Sequence, residues 1–411
     1  MTPSTCHPVR IADFVPFRAL RPSADRVGSM IAPPYDVMGP SEVRLWRETG
    51  PTNITHVDVA LPEDGDEPYV ELARRLKNMI GTGVLRRDER PTLTIHRMSF
   101  TDALGTQRTI SGVVGALEVT HGEGAGVLAH ERTTPKASTD RYDLTIATET
   151  NLSPVWGLAL GAGLTELLGD PGVDAMVAQM DDSAAGPVTH RWEVIDQPSR
   201  IAAIRDVIAR DDVLIADGHH RYGVAQRVLS DHVDRLLGAT HTLAFISDLT
   251  EEQLSVAAIH RVYDGVSTER LREALSVGYQ LEMGGPIESA AAAVSLPSII
   301  AERDQPCLIT PGGTVEWLEP RSEVFEGVRD LDGARLEYLL RDVAHEVDYV
   351  HDPVEAAELA LSRRPGAVLI RPVGIAEITR TGRTGELMPP KSTFFSPKLP
   401  TGAVLRPLDG R

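Results

Sequence analysis

Cysteine is nearly absent from this chain: Cys6 and Cys307 are the only two in 411 residues. They form no CxxC pair and no Cys/His metal spacing. The sequence therefore carries no disulfide framework and no zinc module of that type, and a reducing compartment is expected. Basic charge is also short, with 41 Lys and Arg against 59 Asp and Glu and a formal net charge of −18. Sequence-independent nucleic-acid binding needs basic surface to displace counterions, so DNA is not an expected partner, although a small basic pocket stays compatible. No apolar run is long enough to span a bilayer, and Met1 to Pro16 contains no apolar leader core, so no membrane role is expected. Several familiar motifs are missing as well. There is no GxxxxGK[ST], no GxSxG, no HExxH and no GxGxxG following a strand. The expectation is a cytoplasmic, enzyme-sized protein.

What is present is an ordinary globular composition, 42% hydrophobic and 24% charged, with length for two or three domains. The order of elements suggests a core over residues 1–265, a C-terminal α+β region over 266–385, and an arm over 386–411 that packs back on the core. Alternation predicts a strand at 53–59, with His56 and Asp58 on one face. An amphipathic pattern predicts a helix at 69–80. Strands are expected at 93–100 and 108–119, with Gly105 in the turn between them. Helices are expected at 175–181, 198–210, 287–301 and 332–347. Helices and strands mix without a clean βαβ series, which points to the α+β class.

The densest polar cluster is Asp217-Gly218-His219-His220-Arg221-Tyr222. An apolar run at 213–216 enters it and a helical run at 222–229 leaves it. Strand, glycine turn and helix start would aim free N–H groups and the positive end of the helix dipole at one spot, which suits a phosphate. One of the two histidines is expected to reach a ligand and the other to brace the turn. A metal site would need further ligands that the turn does not supply. A second cluster is His130-Glu131 with Lys136 and Asp140-Arg141. A carboxylate beside a histidine can act as base or hold magnesium, while Lys136 and Arg141 can neutralise phosphate charge. Pro33-Pro34-Tyr35-Asp36 is a stiff loop presenting a phenol and an acid. His260-Arg261 lies near a strand end, where spacing favours a satisfied core histidine. The arm carries Lys391, Ser392, Phe394, Phe395 and Lys398, and its aromatics suggest docking that brings Lys391, Ser392 and Lys398 to a site.

Six pieces in order resemble one family, the domain of unknown function 1015 proteins: Ala32-Pro33-Pro34-Tyr35-Asp36-Val37, His130-Glu131-Arg132-Thr133, Asp140-Arg141, Asp217 to Tyr222, His260-Arg261-Val262, and Met388 to Phe395. They span nearly the whole chain. The Asp-Gly-His-His-Arg piece is also similar to the phosphate-binding turn of the ParB and sulfiredoxin-like superfamily, which includes nucleotide-dependent kinases of free serine. That local resemblance implies a ParB/sulfiredoxin-like core with a large insertion. It further implies a nucleotide (ADP or ATP) with Mg²⁺, and phosphate contacts from Asp217, Gly218, His219, His220 and Arg221. The implied activity is phosphoryl transfer to a small hydroxyl metabolite such as serine, or the reverse from phosphoserine. Glu131 and Asp36 are the candidates for the acid that orients the hydroxyl, with His130 and His220 beside them. The turn holds no cysteine, which removes sulfiredoxin chemistry. A non-catalytic, ParB-like nucleotide-binding regulator is the alternative.

Overall fold

The computed structural model describes residues 12–102, 105–121, 126–129, 138–362, 364–389 and 391–410. The chain forms two compact units. The first comprises residues 1–254, 379–387 and 397–411; the second comprises 255–378 and 388–396. Both mix helices with sheets, the α+β arrangement. Among the described residues no helix is long and apolar enough to cross a membrane.

The first unit is built on a nine-stranded mixed sheet of the described residues. In chain order its strands are β1 (Phe14–Val15), β2 (Leu93–Thr101), β3 (Gln107–Glu118), β4 (Val127–Leu128), β5 (Val155–Ala159), β6 (Val173–Asp182), β7 (Gly186–Ile195), β8 (Val213–Asp217) and β9 (His241–Asp248). The order across the sheet is β4-β8-β5-β9-β3-β2-β7-β6, with β1 added against β3. The pairs β8/β4 and β9/β5 are parallel; the other pairings are antiparallel. Strand β8 is paired along both edges, and its run Val213 to Ala216 is buried on both faces, with Val213 and Ile215 entering the main core, as a continuous apolar strand requires. Phe14, Ile95, Val113, Val155, Ile204, Ile215 and Ile246 make the main core under helix Pro198–Ile208.

The second unit carries a six-stranded antiparallel sheet in the order Tyr279–Pro286, Thr314–Pro320, Cys307–Ile309, Gly366–Leu369, His260–Asp264, Glu346–Val350. Its cores include Val262, Ile309, Ala357 and Leu369 on one face, and Leu271, Leu275, Tyr279 and Leu336 on the other.

Four expected elements are corrected. Residues 53–59 are not a strand, because Asn53 nucleates a turn. Its Oδ1 accepts from the backbone N–H (3.1 Å) and hydroxyl (2.7 Å) of Thr55. A helical turn, Thr55–Asp58, follows directly after that asparagine turn. Residues 175–181 belong to β6 rather than a helix. Their buried and exposed positions alternate, and a hairpin through Gly186 pairs them with β7. The expected helix at 287–301 is a 3₁₀ segment, Ala290–Ser295, followed by helix Leu296–Arg303. Pro297 sits in that helix's first turn, where its missing N–H does no harm. The expected helix at 332–347 stops at Leu340. Glu346–Val350 instead pairs with His260–Asp264.

Candidate functional site

The junction at residue 217 has the predicted layout. Strand β8 ends at Asp217, Gly218 takes a left-handed conformation (φ 87°, ψ 27°), and helix His219–His232 begins. Glycine is required here twice over. The positive φ is costly for any residue with a Cβ, and an added Cβ would stand 3.0 Å from both Cζ and Nε of Arg221. The helix buries Arg221, Tyr222, Val224, Ala225 and Val228, one face at helical spacing. Tyr222 anchors it: its hydroxyl accepts from Thr120 N at 2.9 Å and donates to the Glu118 carbonyl at 3.3 Å. As at any helix start, the first-turn N–H groups lie outside the helix's own ladder.

Arg221 turns inward. Its guanidinium donates to the Pro154 carbonyl, pairs with Asp217 at 2.5 Å, and lies 3.6 Å from Asp36. Lys398 reaches Asp217 from the other side, Nζ to Oδ1 2.9 Å. Burial pushes the Asp217 carboxyl up, but Lys398 and Arg221 together outweigh it and hold the group well below the usual carboxylate range. His219 adds to the same lowering. Asp217 therefore stays ionised at every ordinary pH and fixes two cations beside the turn.

A second arginine stands next to the first. Arg141, on helix Ser138–Thr148, pairs with Asp58 at 3.0 Å and with Asp140 at 2.7 Å. Its guanidinium lies 4.0 Å from the centre of the Tyr35 ring, a cation–π contact. Tyr69 donates to Asp140 at 2.8 Å. Asp58 is buried, and its carboxyl is pushed up by loss of solvent, with Arg141 pulling the other way. Burial also pushes the Tyr35 phenol up to about 12, so it stays protonated. Tyr35 and Asp36 lie on a 3₁₀ turn entered from Pro34, and the Asp36 side chain is exposed.

Of the residues singled out from sequence, the structure brings Asp36, Arg141, Asp217, Gly218, His219, His220 and Arg221 into the first unit. Ion pairs join Asp36, Asp217 and Arg221. Lys391 and Ser392 belong to the second unit. There the Lys391 carbonyl accepts from Arg261 at 3.2 Å, and the Ser392 hydroxyl donates to the Pro389 carbonyl at 2.7 Å. Phe394 and Phe395 pair with Ala257 and Val256 in that unit. His260 is buried in the same unit and its Nδ1 accepts from Ile370 N at 3.2 Å. His130, Glu131 and Lys136 lie outside the described residues.

Sequence reasoning did not assign Asp58 or Tyr69 to the site. Neither had a local signal, since Asp58 meets Arg141 only through the fold. Among the described residues no three His, Cys, Asp or Glu side chains stand together as a metal cage.

No curated protein matches the chain. Among solved structures, a free serine kinase mutant in complex with ADP is 14% identical, over 66% of this chain and 84% of that one, with a TM-score of 0.35. A conserved hypothetical protein from Pyrococcus furiosus is 16% identical over 70% and 94%, with a TM-score of 0.36. SbnI from Staphylococcus aureus, truncated at its C-terminus, is 13% identical over 69% and 84%, with a TM-score of 0.38. Likeness at that level carries no argument about this chain. The family comparison does: the model of the protein family of unknown function DUF1015 matches residues 14–334, well over half of the sequence, and the chain belongs to that family.

Proposed function

We propose that this protein is a nucleotide-dependent phosphotransferase acting on a small hydroxyl-bearing metabolite, with serine and phosphoserine as the first pair to test. The observation that carries the reading is the strand–Gly218–helix junction, with Lys398 and Arg221 fixed beside it by Asp217. Phosphoryl transfer asks mainly for positioning and charge neutralisation. In this reading the start of helix His219–His232 takes nucleotide phosphate through backbone N–H groups and the helix dipole, with His219 and His220 at its first turn. Lys398, held on Asp217, contributes positive charge. Arg221 and Arg141 act from behind, as the buried frame that keeps Asp217, Asp36 and Asp58 in place. Asp36, exposed on its turn, or Glu131 orients the substrate hydroxyl, and Lys136 adds charge at the transferred group. The core is read as ParB/sulfiredoxin-like on the Asp217 to Arg221 turn. Mg²⁺ would neutralise phosphate charge. The described side chains do not form a cage for it, and its ligands would come from the nucleotide and one or two carboxylates, with Asp36 the open one. No role above depends on it.

The test is phosphate transfer between nucleotide and free serine, in both directions, alongside calorimetry with ADP and ATP. Asp217→Asn and His220→Ala are expected to lower turnover by on the order of a hundredfold or more while the chain stays folded. Full turnover in both variants refutes the assignment. Nucleotide binding with no transfer to any small alcohol replaces it with a non-catalytic nucleotide-binding regulator.

A further inference from the structure

Lys398 is held at both ends within the first unit. Its ammonium pairs with Asp217 Oδ1 at 2.9 Å, and its backbone N–H donates to Asp182 Oδ2 at 2.7 Å. Lys398 and Asp182 are both buried. The other oxygen of Asp182 accepts from the backbone N–H groups of Ala184 and Ala185, each at 2.9 Å, which fixes the carboxylate in the turn joining β6 to β7. One lysine thus connects the ends of two strands that lie six positions apart in the sheet. Laid flat, that separation would be roughly 29 Å at the usual strand spacing. An extended lysine covers roughly 7–8 Å from backbone N to Nζ, so with its two hydrogen bonds it bridges about 13 Å at most. The sheet therefore curls until the end of β6 returns toward the Asp217 turn, and Lys398 closes the interval. Beyond it, the chain is pinned again by paired backbone bonds, Thr401 with Ala32 at 2.9 and 3.2 Å and Leu405 with Leu20 at 2.9 Å each way. Those pins do not involve Asp182, so without its carboxylate the arm keeps them while residue 398 loses this tie.

We infer that Asp182 is a positioning residue for the phosphate site: it sets the main chain at 398 so that the Lys398 ammonium stands beside the Gly218 turn, where the phosphates of a nucleoside diphosphate meet it. Asp217 alone does not fix that place, because a four-carbon stem reaches one carboxylate from many rotamers. Fixing the main chain as well selects among them, and a cation ordered in advance costs less entropy when the ligand arrives. The charge of Asp182 works against this role, since a carboxylate near a phosphate site repels the ligand. A neutral substitute therefore separates two effects of opposite sign. Relief of repulsion predicts tighter nucleotide binding; loss of positioning predicts weaker binding. This inference rests on the phosphotransferase reading, which makes Lys398 a phosphate contact.

The test is a double-mutant cycle on the full chain, read as ADP affinity by calorimetry. In Asp182→Asn the amide has one oxygen, which can serve the hairpin or Lys398 but not both. Wild-type protein is expected to bind ADP, with Asp182→Asn and Lys398→Met each weaker by on the order of tenfold. Because Asp182 acts through Lys398, the double variant is expected to match Lys398→Met within about twofold. Losses that multiply in the double variant show that Asp182 acts on the fold at large, and overturn the inference. Binding by Asp182→Asn that equals or exceeds the wild type overturns it as well. So does Lys398→Met binding ADP as the wild type does, while phosphate transfer to serine would still carry the parent reading. Failure of the wild type to bind ADP overturns the parent reading, and the inference with it. If Asp182→Asn does not fold, Asp182→Ser decides by the same criteria, since its shorter hydroxyl can cap the hairpin but stops short of Lys398.

Discussion

Acidification from pH 7.5 to 4.5 is expected to remove roughly 3 kcal/mol of stability from the first unit through one buried pair of histidines. His96 on β2 and His190 on β7 lie with Nε2 and Nδ1 3.1 Å apart. Trp192 stacks on both rings, at 4.7 Å and 5.6 Å between centroids, and Phe245 closes an edge at 5.5 Å. A single N–H bridges two neutral rings in that geometry; a second proton would set donor against donor. Burial pushes both imidazoles down, His190 to about 4 with Asp182 offsetting part of the effect, and His96 well below its ordinary 6.5. A histidine whose folded pKa lies below its unfolded value binds fewer protons folded than unfolded. Stability is therefore complete above about 6.5, falls as the pH drops, and has lost this contribution near 4. The gap between 6.5 and about 4, at about 1.4 kcal/mol per pH unit, gives the figure for His190 alone.

Urea unfolding followed by tryptophan fluorescence at pH 7.5, 6.0 and 4.5 measures it. A Trp317→Phe background leaves Trp46, Trp156 and Trp192 as reporters, all in the first unit. Carboxylates titrate in the same range, so the informative quantity is the difference in pH slope between that background and the same protein carrying His190→Gln. The glutamine cannot take up a proton, whatever its fixed cost to packing. The background protein should lose about 3 kcal/mol more than the glutamine variant across the interval. Slopes that agree within about 1 kcal/mol would show that the pair gains its protons without unfolding, and the reasoning from burial would be wrong.

Two further outcomes follow from the turn. Lys398→Met leaves Asp217 with Arg221 as its near cation and should cost roughly 2–4 kcal/mol at neutral pH in thermal or urea unfolding. The Asp217 carboxyl then rises toward its ordinary range; because a lowered carboxyl stabilises at neutral pH and loses that contribution as pH falls, the variant should also be less acid-sensitive than the wild type, with Lys398→Arg in between. Equal stability of Lys398→Met and the wild type at pH 7 would show that solvent screens the pair. Gly218→Ala forces a Cβ into the left-handed turn against Arg221, and about 1–3 kcal/mol of destabilisation is expected by urea titration; an unchanged midpoint contradicts the strain argument.

The turn itself was legible because each of its determinants is local. Four apolar residues mark a strand buried on both faces, Gly218 permits positive φ, and the polar run opens a helix whose apolar face follows at helical spacing. What surrounds the turn was only partly legible. Asp36, Arg141 and Lys398 were visible as charged residues in stiff or aromatic contexts, yet their partners are set by tertiary contacts across 181 residues for Lys398 and Asp217 and 83 for Arg141 and Asp58. The polar run marks Arg221 as a phosphate contact, whereas its side chain is turned into the protein; sequence gives a residue's charge but not the direction of its rotamer. Where secondary structure departs from the local pattern, the causes are equally specific. Period-two alternation at 53–59 is overruled by the hydrogen bonds of one asparagine, and in the edge strand 173–182 polarity does not follow burial, since Val177 is exposed and Asp182 buried.

Charge at this site is compensated before any ligand arrives, and that shapes how an anion would bind. Arg141 faces Asp58 and Asp140, Arg221 faces Asp217 and Asp36, and Lys398 faces Asp217. A nucleotide approaching the turn would not meet a bare cationic patch, and a chain with a net charge of −18 does not steer polyanions from a distance. Attraction would arise at short range, from the oriented N–H groups of the helix start and from cations held in fixed positions by Asp217. The cost of assembling Lys398 and Arg221 side by side is met within the fold, by the Asp217 carboxylate kept ionised through contact with those same cations. Under the proposed function Asp217 is therefore not a phosphate ligand, because one anion does not bind another. It is the residue that holds Lys398 beside the turn and ties it to the buried Arg221 behind, and its removal would cost the site its geometry before its charge.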